Sequence, residues 1–291
     1  MRSTTVRRRT IIVVVLVLAA LIHRPALAQQ NSSADPAQAH GTDPTEDENK
    51  ENADVSKALA NPIANMVSIP FQFNWFGHLT PFDSTRFQLN VQPVVPFTLN
   101  DNWNLIMRFI LPYIGQPAEP VEIPGSGISD IPESGLSDIT LSLFVSPAHS
   151  KLIWGVGPAF LIPTSTNPAL TSGRWSIGPT AVVLREIGPW TVGLLVNQLW
   201  SYAAEANYFS RPVSQMFVQP FATYQMKHAV SLTFTSEQTY DWKAPEGQRS
   251  LVPLIAELGK VTRLGPFPFQ VLGGAGILSS GQTLAHTGWR D

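Results

Sequence analysis

Residues 86–92 read RFQLNVQ, an alternation of polar and apolar side chains. As a strand, this segment carries Arg86, Gln88, Asn90 and Gln92 on one face and Phe87, Leu89 and Val91 on the other. Asn104 and Arg108 share one parity in the next apolar run, and Gln219 and Glu237 fall in later ones. A guanidinium, a carboxylate and several amides on one side of a sheet can bind, orient or exclude a solute, but they break no bond. Arg86, Asn90, Gln92, Asn104, Arg108, Gln219 and Glu237 are therefore candidate selectivity residues, with Glu237 as counter-charge to the two arginines. Thr140, Ser142, Asn197, Thr233 and Thr235 extend that face, while Ile106, Ile110, Phe217 and Phe221 make it narrow and partly apolar.

Bond-breaking chemistry finds little to work with. His149 and Ser150 are adjacent and would point opposite ways in a strand, and His228 differs in parity from Ser231. No Gly-x-Ser-x-Gly elbow is present. Glu119, Glu122, Asp130 and Glu133 crowd one loop, but prolines separate them and their spacing fits no calcium loop. The reading is not an enzyme, with no metal and no cofactor; a lipid hydrolase is the weakest alternative.

Elements that could hold such a face must be strands. After residue 28, no run is long and apolar enough for a membrane helix, and period-two alternation recurs instead. In DITLSLFVS, Leu141 opposes Thr140 and Ser142; in HAVSLTFTSEQTY, Leu232 opposes Ser231 and Thr233. Turn signals divide the chain into eleven strands, about 67–76, 84–98, 102–114, 135–146, 151–162, 174–187, 189–201, 212–226, 229–242, 249–263 and 267–278. Their connections alternate between tight turns, such as residues 187–189, and long loops, such as 116–134 and 163–173. That segregation predicts an up-and-down antiparallel transmembrane β-barrel.

The tryptophans agree. Trp75, Trp175, Trp200, Trp242 and Trp289 fall toward loop-side strand ends, whereas Trp103, Trp154 and Trp190 fall toward turn-side ends. Indole prefers a membrane–water interface, so these form two expected girdles. A Trp-x-x-Gly-Pro motif occurs twice, in WGVGPAF from Trp154 and WSIGPTA from Trp175. Proline lacks a backbone donor, so Pro158 and Pro179 are expected at similar heights on adjoining strands, where the wall curves.

Compartment follows from the N-terminus. A basic start, the apolar run Ile11–Ile22 and Ala26-Leu27-Ala28 have the grammar of a cleaved secretory signal over residues 1–28. The run is too short to span a bilayer as a helix. Residues 29–60 form an acidic linker, with seven acids against Lys50 alone between positions 29 and 56, and read as disordered. The barrel is assigned to residues 61–291. Residues 57–291 hold 13 basic and 14 acidic side chains, so no basic surface is available for nucleic acid. The chain has no cysteine, which excludes disulfides and thiolate metal sites.

Several segments together resemble a known family: ANPIANMVSIPFQFN, NVQPVVPFTLNDNWNLIMRFILP, GLSDITLSLFVSP, IWGVGPAFLIPT, SIGPTAVVLREIGPWTVGLLVNQLWS, FVQPFATY and TSEQTYDW. They are similar to the bacterial outer-membrane β-barrel family of the phenol-degradation-pathway (MetA-pathway) type, often labelled "neuromedin U" or "transporter". The resemblance covers roughly residues 57–291. It implies a 12-strand barrel in a Gram-negative outer membrane, handled by the barrel-assembly machinery, surrounded by outer-membrane lipids and passing small, hydrophobic or aromatic solutes by passive, porin-like diffusion. A plugged structural or adhesive barrel is the alternative. The family pattern leads to a last strand continuing from Gly288-Trp289, whereas this sequence ends at HTGWRD. With eleven strands evident, the expectation is that the last strand is truncated or that closure comes from elsewhere.

Overall fold

Alternation becomes architecture in a computed structural model that describes residues 9–20, 44–79, 84–116, 121–123, 127–129, 133–205, 212–246, 249–265 and 267–278. The strands in chain order are β1 (Arg9–Ala20), β2 (Val67–Leu79), β3 (Ser84–Val91), β4 (Val94–Asn100), β5 (Trp103–Gln116) and the small hairpin β6 (Val121–Ile123) with β7 (Gly127–Ser129). There follow β8 (Glu133–Leu136), β9 (Ile139–Pro147), β10 (Ile153–Ile162), β11 (Arg174–Ile187), β12 (Trp190–Ala204) and β13 (Ser214–Gln225). Last come β14 (Val230–Thr235), β15 (Gln238–Asp241), β16 (Ser250–Leu251), β17 (Pro253–Leu264) and β18 (Phe267–Leu278). Broken strands such as β3 with β4 and β14 with β15 act as single staves. The result is a closed antiparallel barrel of twelve staves.

Facing follows the sequence pattern. Along β17, Ile255, Glu257, Gly259 and Val261 are buried, and Leu254, Ala256, Leu258 and Lys260 are exposed. On β9, Ser142, Phe144 and Ser146 are buried while Val145, which shares the face of Leu141, is exposed. Thr233 points inward and its hydroxyl meets that of Thr223 at 3.0 Å. At the loop end, residues 163–173 are ordered against the wall. Thr171 Oγ1, Ser172 N and Ser172 Oγ donate to the buried Asp138 carboxylate at 2.8, 2.6 and 2.6 Å.

The twelfth stave is not a C-terminal one. It is β1, the apolar run read as the core of a secretory signal. It pairs antiparallel with β18 from Arg9 opposite Leu278 to Leu18 opposite Phe269, and with β2 from Ile11 opposite Phe76 to Ala20 opposite Val67. Ile11 and Val13 are buried against Ile255 and Leu278. The cleavage site, residues 29–43 and Trp289 lie outside the described residues.

The acidic linker also differs from expectation. Residues Pro44–Leu59 form helix α1 rather than a disordered lead. The cause is tertiary: few apolar residues are present, but Val55 packs on Ala229 and Val261, with Leu59 beside them. Arg263 Nη2 pairs with Glu51 at 2.6 Å, and Ser56 Oγ donates to Gln225 Oε1 at 2.8 Å. Ala229 sits in the tight β13–β14 turn with φ 54, a left-handed conformation costly for a residue with a Cβ. Its methyl group is the contact that α1 uses.

The paired Gly-Pro motifs find their explanation in register. Pro158 lies directly opposite Pro179, and the β10–β11 ladder is continuous through them. On the outer sides, pairing skips from Val156–Val145 to Ala159–Ser142 and from Ile177–Trp200 to Thr180–Asn197. The missing proline donors thus point at the outer neighbours, where the ladder is interrupted. Glycine is required beside each proline, because a Cβ on Gly157 would overlap the Leu143 carbonyl oxygen and one on Gly178 that of Gln198. Gly157→Ala and Gly178→Ala are each expected to cost about 2 kcal/mol by forcing the backbone apart. Gly115→Ala and Gly273→Ala, where nothing lies within 4 Å, should shift the denaturant midpoint little.

Candidate functional site

Inward residues of β2, β5 and β13, and of the breaks between β3 and β4 and between β14 and β15, meet across the hollow. Gln92 Nε2 donates to Gln72 Oε1 at 2.6 Å, and Arg108 Nη2 donates to Gln92 Oε1 at 2.8 Å. Gln72 Nε2 reaches Asn74 Oδ1 at 3.3 Å and Glu237 Oε1 at 3.5 Å; Gln219 Nε2 reaches the same Glu237 oxygen at 3.4 Å. A chain of amides therefore links Arg108 to Glu237 and ties the β2 wall to the β13 wall. The two opposite charges also attract through space, and Glu257 adds a second carboxylate beside Glu237.

Below this brace sits a cavity of about 190 Å³. Its polar lining includes Gln72, Gln92, Arg108, Gln219, Glu237 and Glu257, and its apolar lining includes Phe221, Ile255 and Leu272. Ser56, Leu59 and residues 60–62, at and just beyond the end of α1, form its floor. Beside the floor, Ile63 is buried with Val94, Ile106, Phe144, Val182 and Leu195, filling that part of the lumen with hydrocarbon. Helix, linker and brace together leave a chamber rather than a wide pore.

Four of the seven expected selectivity residues, Gln92, Arg108, Gln219 and Glu237, line this chamber. Arg86, Asn90 and Asn104 are also buried, on the same faces, but away from it. Arg86 and Arg108 therefore do not share one site, and the attraction to Glu237 belongs to Arg108. Phe217 packs on the apolar cluster and Phe221 lines the chamber, as the narrow, partly apolar face required. Sequence reading missed Gln72 and Glu257, although QFN and AELGK alternate as plainly as RFQLN. It also missed the floor, whose polar sequence gave no sign of packing.

Seven tryptophans lie among the described residues, and the outer surface carries them toward the two ends as expected. At the turn end, Trp103 meets Trp154 edge-on at 6.0 Å, and Trp190 lies 4.9 Å from Tyr224. Toward the loop end are Trp75, beside Phe87 at 5.5 Å, Trp175 and Trp200; Trp242 lies 4.6 Å from Tyr240 and donates its indole N–H to Gln198.

No protein-family model matches the chain, and no curated protein matches it at a significant level.

The Gln92 carboxamide is the joint of the brace, accepting from Arg108 and donating to Gln72. Gln92→Ala leaves both partners buried without it and is expected to cost about 2–3 kcal/mol. Gln92→Glu keeps the acceptor for Arg108 and should recover part of that loss, as read by the thermal midpoint.

Proposed function

We propose that this chain is an outer-membrane barrel of the MetA-pathway type, exported by its N-terminal signal, that passes small, partly apolar solutes by passive diffusion. The observation that carries this reading is the chamber, enclosed by a closed barrel and lined on one side by apolar side chains and on the other by a charged amide network. Its volume is near that of the roughly 150 Å³ cavities that accept benzene. Membrane residence is supported by the exposed aliphatic side chains of the outer face, such as Leu258 and Val192, between two sets of outward indoles. Passage requires no covalent step. It requires that α1, held by the packing of Val55 and Leu59 and a few polar bonds, and the Gln72–Glu237 contact yield.

A second reading is favoured by the same floor: a barrel kept shut by α1, serving as a scaffold for its loops. Planar-bilayer recording separates the two. Glu51→Ala with Arg263→Ala removes the 2.6 Å ion pair that ties α1 to β17 and is expected to raise open-channel events several-fold over the unmodified chain. Absence of current in both proteins would leave the plugged scaffold. Membrane residence has its own test. Leu258→Arg, mid-strand on the outer face, should cost about 2–4 kcal/mol, and Leu264→Arg, at the turn end, less than about 1 kcal/mol. Equal small effects in urea titrations would argue for a water-facing wall.

A further inference from the structure

One row of wall residues includes three, Phe221, Thr235 and Ile255, that border open space on both faces of the barrel. Gly193, Phe221, Thr235, Ile255 and Gly276 are successive cross-strand partners from β12 to β18, a row that climbs from near the turn end at Gly193 to near the loop end at Gly276. Outside that row lies a hollow of about 700 Å³. It exists because the neighbouring outward positions, Ala222, Ala256 and Ala275, are small, with only the half-exposed Phe234 ring standing between the first two. Phe221, Thr235 and Ile255 line both this outer hollow and the inner chamber. One layer of side chains separates hydrocarbon from lumen.

The regular ladder is interrupted here, although Ser236 Oγ donates to the Pro253 carbonyl across the break. Pairing of β14 with both neighbours stops at Thr235, and residues 236–237 interrupt the strand before β15. Pro220 and Pro253 flank the break and can donate no backbone hydrogen bond. One amide bridges to β13, from Ser236 N to Pro220 O at 3.2 Å. Thr235 Oγ1 is buried there without a hydrogen-bond partner, so the site holds a polar atom whose satisfaction in this state is incomplete. The Phe221 ring packs where Gly193 has no side chain, and a Cβ at that glycine would press on it.

We infer that this row is a lateral portal, through which an uncharged apolar solute of about one aromatic ring in cross-section passes between the chamber and the surrounding acyl chains. The inference rests on the passage reading above and adds the route and the solute class. The occupant is set by the two spaces it must cross. The outer hollow is lined chiefly by hydrocarbon, and the inner chamber of about 190 Å³ limits the solute to small size. Rotation of the Phe221 and Phe234 rings opens the way without breaking the ladders on either side.

The chain has no cysteine, so a single introduced thiol reports on access. The full chain carrying Thr235→Cys, in lipid vesicles loaded with N-phenylmaleimide, is compared with Ser142→Cys, which is buried in the wall away from the portal. Labelling at 235 is expected to be at least tenfold faster. Adding Ala256→Trp, which fills the hollow from outside, should slow it several-fold. Equal rates at 235 and 142, insensitivity to Ala256→Trp, or equally fast reaction of 235 with a sulfonated water-soluble maleimide would overturn the portal. Current through the same preparation reports separately on passage. Conduction without selective labelling rejects the portal alone, whereas selective labelling without conduction retains the portal and rejects transport through the barrel.

Discussion

Closure of the backbone hydrogen-bond ladder is the constraint on which the rest of this structure depends. A strand with one unsatisfied edge leaves a row of N–H and C=O groups that hydrocarbon cannot solvate, so a barrel in lipid tolerates no open seam. Here the seam lies between β2 and β18, and β1 fills it in the direction that antiparallel pairing demands on both sides. Every inward and outward assignment in the molecule follows from that closure, since a period-two pattern has meaning only once the sheet has an inside.

Closing the cylinder creates a second problem, which the interior solves locally. Buried amides and charges need partners, and they find them in one another. Gln92 and Gln72 pass a line of hydrogen bonds from Arg108 to Glu237, so neither charge stands alone in the low-dielectric lumen. The apolar half of the lumen is filled from outside the sheet by Ile63 and by α1. Brace and floor thus divide the hollow, and the chamber is what remains between them.

Much of this was legible in the sequence, for a definite reason. Strands such as β9 and β17 alternate, and alternation encodes facing directly; the Gly-Pro repeats announced matched interruptions in the ladder, and Pro158 opposite Pro179 meets that expectation. What was not legible lacks periodicity. The run that forms β1 is apolar at every position from 11 to 20, so it offers no two-faced signal and fits an export signal equally well. Helix α1 is built from a sequence with so few apolar residues that its own composition argues for disorder. Val55, Leu59, the Glu51–Arg263 pair and the Ser56–Gln225 hydrogen bond, all depending on a wall distant in sequence, hold it. Glu257 was readable by parity, but the chamber that gives it meaning needed the closed sheet.

The identity of β1 carries a consequence for the life of the molecule. Its residues lie wholly upstream of Ala28, where export processing is expected to cut. A severed copy could remain in the wall only as a detached peptide, clipped between two staves by main-chain bonds and the packing of Ile11 and Val13. Maturation and sealing would then compete for the same twelve residues, and the timing of proteolysis would decide whether the vessel is watertight or split along one side.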